Sequence, residues 1–176
     1  MRNYRIFVTA SPFFATILAF LVLLAACAPK PTASPEKAAA PAPRPTTTAS
    51  LATGLEDDIL ALVNQYRKSK GLSPLTNNFT LTEEARKHTM AMATNRVPFG
   101  HANFNIRSKV ITSKVDGTSA VAENVAVGSQ TAKEVVDGWI KSAPHRKNME
   151  GNYRLSGIGV ARSQNAKLYF TQLFAR

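Results

Sequence analysis

Apolar residues between positions 51 and 176 change their spacing along the chain, and the spacing predicts the elements. Leu55, Ile59, Leu62, Val63 and Tyr66 recur every three or four positions, as one face of a helix does, and Gly71 suits its C-terminal cap. Leu81, Ala85, His88 and Met92 repeat that pattern, and Val135, Val136, Trp139 and Ile140 give a third helix its inward face. Thr53, Thr80 and Thr131 each stand three residues before a glutamate (Glu56, Glu83, Glu134). Both side chains of such a pair can serve the orphan amides of a helix start. Pro144 then ends the third helix or opens a short one capped by Ser142. Beyond it the residues turn β-rich. Leu155 to Ser163 and Lys167 to Ala175 read as strands joined by Gln164-Asn165-Ala166, and Ala122 to Val127 reads as a third strand. Gly157 and Gly159 leave one face of their strand bare, which calls for a close neighbour. Helices come first and the hairpin last, so the fold class is α+β with a small antiparallel sheet, and no internal repeat is visible.

The first 50 residues follow other rules. Arg2 and Arg5 precede an apolar run from Phe13 to Ala26, interrupted only by Thr16. The run is too short for a spanning helix, which needs about 20 residues, and it matches a secretory signal. It ends in Leu24-Ala25-Ala26-Cys27, which resembles the lipobox of bacterial lipoproteins. That resemblance implies cleavage before Cys27 and acylation of Cys27; the alternative is an ordinary signal peptide with an incidental cysteine. Two or more acyl chains anchor a protein stably where one does not. Residues 28–50 are rich in Pro, Ala, Thr and Ser and contain no aromatic or large aliphatic side chain, so a disordered tether of polyproline II character is expected. The organisation is therefore a lipoprotein signal peptide (1–26), a lipidated cysteine with its linker (27–50) and a single domain (51–176).

Composition changes this picture in two places. The chain of 176 residues carries a formal charge of +11, and most of the excess falls on the domain. Lys141, Arg146, Lys147 and Arg154 gather near His145, but no basic helix or aromatic platform is recognisable. With a secretory signal in front, nucleic acid is excluded as a partner, and an anionic envelope polymer or lipid headgroup is the expected one. The single Cys excludes a disulfide scaffold and a Cys-rich zinc cluster.

Candidate chemistry rests on few residues. His88 lies on an apolar stripe and reads as a core histidine. His101 follows Val97-Pro98-Phe99-Gly100 on a loop. His145 sits at a helix start, where the dipole would favour a neutral imidazole able to accept a proton or ligate a metal; a local cap is the other role. Glu123, set among small apolar residues in a strand, is either paired inside the fold or lines a cleft. Their spacing matches no local metal motif, and no nucleophile elbow, P-loop or dinucleotide fingerprint is present.

In order along residues 55–176, these segments resemble the CAP or SCP-like extracellular domain, a superfamily of cysteine-rich secretory proteins, insect venom allergens and plant pathogenesis-related proteins. Asn64-Gln65-Tyr66-Arg67 resembles its opening helix and Ala122-Glu123-Asn124-Val125-Ala126 its A-E-N signature. The stretch from Trp139 through Ser142, His145 and Arg146 to Asn148 resembles the bacterial W-x-x-S-x-x-H-R-x-N form, and Gly157-Ile158-Gly159-Val160 with Tyr169-Phe170-Thr171-Gln172 resembles the final hairpin. The resemblance implies a three-layer α-β-α sandwich with a cleft holding His101 and Glu123, beside which Arg146, Asn148 and Gln172 are carried as binding positions. Eukaryotic members often have two His and two Glu there, and some bind a divalent metal such as zinc. Here Tyr169 or its neighbour replaces one of those histidines and Ser142 one of the glutamates, leaving His101 and His145 as candidate metal ligands.

Three functions follow. The leading one is a membrane-anchored envelope lipoprotein whose cleft binds a lipid, glycan or protein ligand. The second is a hydrolase of peptide or cell-wall material using Glu123 as base and His101 or His145 as acid or metal ligand. The third is a structural module without a ligand. Ala28 lacks the aspartate that keeps some lipoproteins at an inner membrane, so in a two-membrane envelope the expected site is the outer membrane, facing the periplasm.

Overall fold

A computed structural model describes residues 48–176; the segments expected to be a signal peptide and a linker, with Cys27 between them, lie outside the described residues up to residue 47. The element order is α1 (Thr48–Ser69), β1 (Thr76–Asn77), α2 (Phe79–Ala93), α3 (Phe104–Lys114), β2 (Val121–Val127), α4 (Ala132–Lys141), α5 (Ala143–Met149), β3 (Leu155–Arg162) and β4 (Leu168–Ala175). The strands form one sheet in the order β1-β3-β4-β2, with β2, β4 and β3 antiparallel. The two-residue β1 joins β3 in parallel, so the sheet is mixed where a purely antiparallel one was expected. A pairing this short carries no periodicity to read. Among the described residues no helix is long and apolar enough to cross a membrane.

The sheet is sandwiched between helices. On one face Ile59 and Val63 of α1, with Val135, Val136 and Trp139 of α4, pack on Ile158, Val160, Phe170 and Phe174. On the other, Leu81 and Ala85 of α2 and Ile111 of α3 pack on Leu173 and Ala175. Even-numbered positions of β4 face the first layer and odd-numbered ones the second, the alternation a strand imposes. The bare strip of β3 has its neighbour: the backbone of α2 lies directly on Gly157 and Gly159.

Helix starts only partly follow the Thr-x-x-Glu pattern. Thr131 caps α4, accepting from the Glu134 amide at 3.2 Å, while the Glu134 carboxylate accepts from the Gln130 amide at 2.6 Å. Thr80 lies inside α2, whose cap is Asn78, accepting from Leu81 N at 3.2 Å. Thr53 is interior to α1, and Glu56 is buried, receiving the Arg86 guanidinium and the Val160 amide. An acid read as a capping group instead ties α1 to α2 and β3, a role that only packing creates. Ser142 precedes α5 but its hydroxyl makes no capping bond. At the end of α1, Gly71 has φ +72° while Leu72 N bonds Arg67 O and Gly71 N bonds Lys68 O, the Schellman arrangement expected of it.

Arg67 shows how the far end of α1 is fixed. It is buried, and its guanidinium donates to the carbonyls of Ser73, Met149, Gly151 and Tyr153, which pins the chain leaving α5. Burial lowers its pKa.

Candidate functional site

The site forms on β2, an edge strand. Exposed edges invite unwanted pairing, and here side chains occupy the edge instead. The Trp139 indole N–H donates to Val125 O at 3.3 Å, and the Asn148 amide donates to Glu123 O at 3.1 Å and to Asn124 Oδ1 at 2.9 Å. Asn124 donates in turn to His145 O at 3.1 Å. The Trp, Asn and A-E-N positions of the sequence motifs are thus parts of one latch, which straps α4 and α5 to the strand carrying Glu123.

Glu123 points the other way, toward α2 and α3, with only 1% of its side chain exposed. Arg107 of α3 grips its carboxylate as a fork, Nε to Oε2 and Nη2 to Oε1, each 2.8 Å, and a third guanidinium nitrogen donates to Ala102 O at 2.7 Å. His101 Nδ1 lies 2.9 Å from Oε1. His88 Nε2 stands 4.0 Å from the same oxygen and donates to Gly100 O at 2.8 Å, so it holds the loop that carries His101. His88 is therefore the satisfied core histidine expected of its stripe.

The structure brings His101 and Glu123 together, and His145 lies on α5, whose Asn148 is strapped to the strand that carries Glu123. His145, partly buried on α5, has its pKa lowered by burial first and by His101 second. Burial thus favours the neutral form expected there. The other predicted positions are used internally. Arg146 donates to Ile140 O at 2.8 Å at the end of α4, Asn148 belongs to the latch, and Gln172 is fully buried with its amide nitrogen 3.1 Å from Ser156 Oγ. Arg107 was missed from sequence, because α3 buries only Arg107 and Ile111 and has no apolar stripe to announce it.

A divalent metal does not fit this donor set. Both oxygens of Glu123 are engaged by a guanidinium, and a cation beside Arg107 would meet its charge at close range. Among the described residues no group of three or more His, Cys, Asp or Glu side chains is arranged to hold a metal. Glu123 is equally ill placed as a general base, since its lone pairs already serve Arg107 and His101.

His88 makes stability depend on pH. Burial lowers its pKa from 6.5, with the nearby Arg107 charge acting in the same direction. Below about pH 6.5 the unfolded chain takes up the proton more readily than the folded one, so stability is full above that value and falls as the pH drops below it. Urea unfolding at pH 7.5 and pH 5 should show this loss, and His88→Gln should reduce it; an unchanged pH profile in the variant would contradict the assignment.

Residues 60–174 match the family profile named CAP, the cysteine-rich secretory protein family. The chain belongs to that family. Among curated relatives of this CAP domain, the uncharacterized protein YkwD of Bacillus subtilis (strain 168) is 34% identical over 142 residues, covering 78% of this chain and 55% of that protein. The uncharacterized membrane protein YlbC of the same organism is 30% identical over 128 residues, covering 70% of this chain and 35% of that protein. The chain therefore spans about half of the first and a third of the second. The CAP fold is also seen in an extracellular SCP-domain protein from Bacillus anthracis, with TM-score 0.64 at 24% identity, covering 78% of this chain and 45% of that one. An outer surface protein from Borrelia burgdorferi superposes with TM-score 0.59 at 20% identity, covering 69% of this chain and 93% of that one.

Proposed function

We propose that this CAP protein is a lipid-anchored module of the cell envelope that binds a lipid, glycan or protein ligand beside β2, through His101 and His145. The observation that carries the reading is the contrast at His101. Its Nδ1 is fixed by a buried, charge-neutralised carboxylate, yet its side chain is 53% exposed. With Nδ1 held at Glu123, the exposed remainder of the ring is an oriented polar group of the kind a binding surface needs. Glu123 orients where a hydrolase would require it to take up a proton. The anchor rests on Leu24-Ala25-Ala26-Cys27, and the excess of 17 Lys and Arg over 10 Asp and Glu in residues 51–176, a charge of +7, suits an anionic envelope. In a two-membrane envelope the protein would sit on the outer membrane facing the periplasm.

Cell fractionation checks the anchor: Cys27→Ser should move the protein from the membrane to the soluble fraction, and continued retention would refute lipidation. For the site, His101→Ala should weaken capture of envelope extract components by the full chain while leaving its thermal midpoint nearly unchanged. Turnover of an envelope substrate, abolished by Glu123→Gln without unfolding, would replace this reading with the hydrolase.

A further inference from the structure

Strand β3 has an outer edge that the sheet covers only in part, and the pairing shows which backbone groups face it. Ser163 N donates to Lys167 O at 2.9 Å, so odd-numbered residues of β3 direct their backbone groups to β4 and even-numbered ones direct theirs outward. The short β1 meets the first of these, and Asn78 N donates to Ser156 O at 2.9 Å. Farther along, Val160 N donates to Glu56 Oε1 at 3.1 Å, and the same carboxylate holds the Arg86 guanidinium of α2. Past that bridge, Val160 O and the amide and carbonyl of Arg162 have no hydrogen-bond partner among the described residues. Val160 and Arg162 line a cavity of about 500 Å³ together with Leu51 and Leu55 of α1 and Met90 of α2. Its mouth is open, since Leu51 and Met90 are both exposed.

Three observations select what fits there. Val160 O and Arg162 N are the acceptor and donor that one residue of an added parallel strand engages, whereas an alkyl chain would desolvate both without a hydrogen bond. The cavity is apolar on both sides of the strand: Val160 and Leu55 belong to the α1 layer, and Met90 comes from α2, which lies on the opposite face of β3. A strand added between them would turn alternate side chains to the two walls. The rim is positive, because Arg86 and Glu56 pair, while Arg162 donates to Ala166 O and enters no ion pair among the described residues. A second copy docked edge to edge would bring this positive charge against its own, whereas an acidic strand would not. We propose that this edge of β3 docks a short extended segment of a partner protein, apolar at its centre and acidic at its ends. The Glu56–Arg86 bridge stops that segment at one end. Because β2 and β3 lie toward opposite edges of the sheet, the proposal is independent of the binding reading above.

The probe is a pool of capped hexapeptides with Val, Leu or Thr at the central positions and Asp at both ends, titrated into the full chain and followed by NMR. Saturable binding is expected, with the Arg162 amide signal moving downfield and its hydrogen exchanging more slowly, as a new main-chain hydrogen bond requires. Met90→Glu, at an exposed helix position, should weaken binding about tenfold or more with an unaltered thermal midpoint, since it sets a carboxylate against an apolar, acidic-ended strand. Arg162→Ala should weaken it about threefold and flatten its salt dependence. Arg162→Pro also removes the outward N–H, at an edge position where proline is tolerated, and should cost about fivefold more. Lys109→Ala, exposed on α3, should change nothing. Absence of saturable binding, binding that leaves the Arg162 amide unmoved, or equal binding by Met90→Glu overturns the proposal. Dodecanoate and sedimentation of the chain alone form the comparison arms. If the pool fails while dodecanoate shifts the Met90 methyl signal, the cavity takes an alkyl chain. If the chain alone self-associates and Met90→Glu abolishes this, the occupant is a second copy. Either result overturns the peptide assignment and leaves the reading of the site beside β2 untouched.

Discussion

Gly157→Ala is expected to destabilise the domain by at least about 3 kcal/mol, the upper range for overpacking a filled core. A Cβ at this position would stand 2.1 Å from the Thr82 amide nitrogen and 2.2 Å from the Leu81 carbonyl carbon. Carbon atoms pack best at about 3.5–4.0 Å, so the helix would have to move by more than an ångström. The obstacle is backbone, which has no rotamer to change. Because α2 also carries His88, its displacement would loosen the loop that presents His101. Gly138→Ala is the control. Nothing lies within 4 Å of a Cβ there, in the interior of α4, and a gain of about 0.5–1 kcal/mol is expected. Chemical denaturation followed by circular dichroism measures both; a loss below about 1 kcal/mol for Gly157→Ala would show that the α2–β3 contact is looser than described.

Arg107→Met should cost about 3–5 kcal/mol, the range for removing one partner of a buried ion pair. Arg107 and Glu123 side chains are 8% and 1% exposed, so water cannot replace the lost guanidinium at the carboxylate. Adding Glu123→Gln should recover much of the loss, because the stranded charge is then gone. That recovery separates the electrostatic cause from loss of packing by the long arginine stem. If the double variant is no more stable than Arg107→Met alone, packing and not charge dominates. The same pair of variants reports on function. Arg107→Met removes the group that neutralises Glu123, whereas Glu123→Gln keeps a side-chain oxygen near His101 Nδ1.

Much of the architecture is legible in the sequence. The helical stripe at Leu81, Ala85, His88 and Met92 is buried throughout, and the glycine-marked strip of β3 does receive a helix. These signals are local and repeated, so several residues report one environment. Thr53 and Thr80 misled because a capping pair is also an ordinary pair within a helix, and only backbone geometry tells them apart. Helix α3 was invisible because its buried positions, Arg107 and Ile111, are too few and one is charged.

At the site the division is sharper. His101 and Glu123 could be paired from sequence only through resemblance, since no local spacing connects residues so far apart along the chain. The family motifs were visible too, but the part each residue plays was not. Trp139, Asn124 and Asn148 prove to be a hydrogen-bonded latch on an edge strand, while Gln172 lies fully inside.

Periodicity and ordered motifs thus determined the element types, the close helix–strand contact and the family, because each is written in residues near one another in the chain. Tertiary structure alone decided the electrostatics. It placed Arg107 on Glu123, removed the carboxylate as a free base or metal ligand, and favoured a neutral His145 by burial. The physical reason is that charge state and donor availability depend on groups within a few ångströms in space, and the nearest of those to Glu123 came from a helix with no periodic signal of its own.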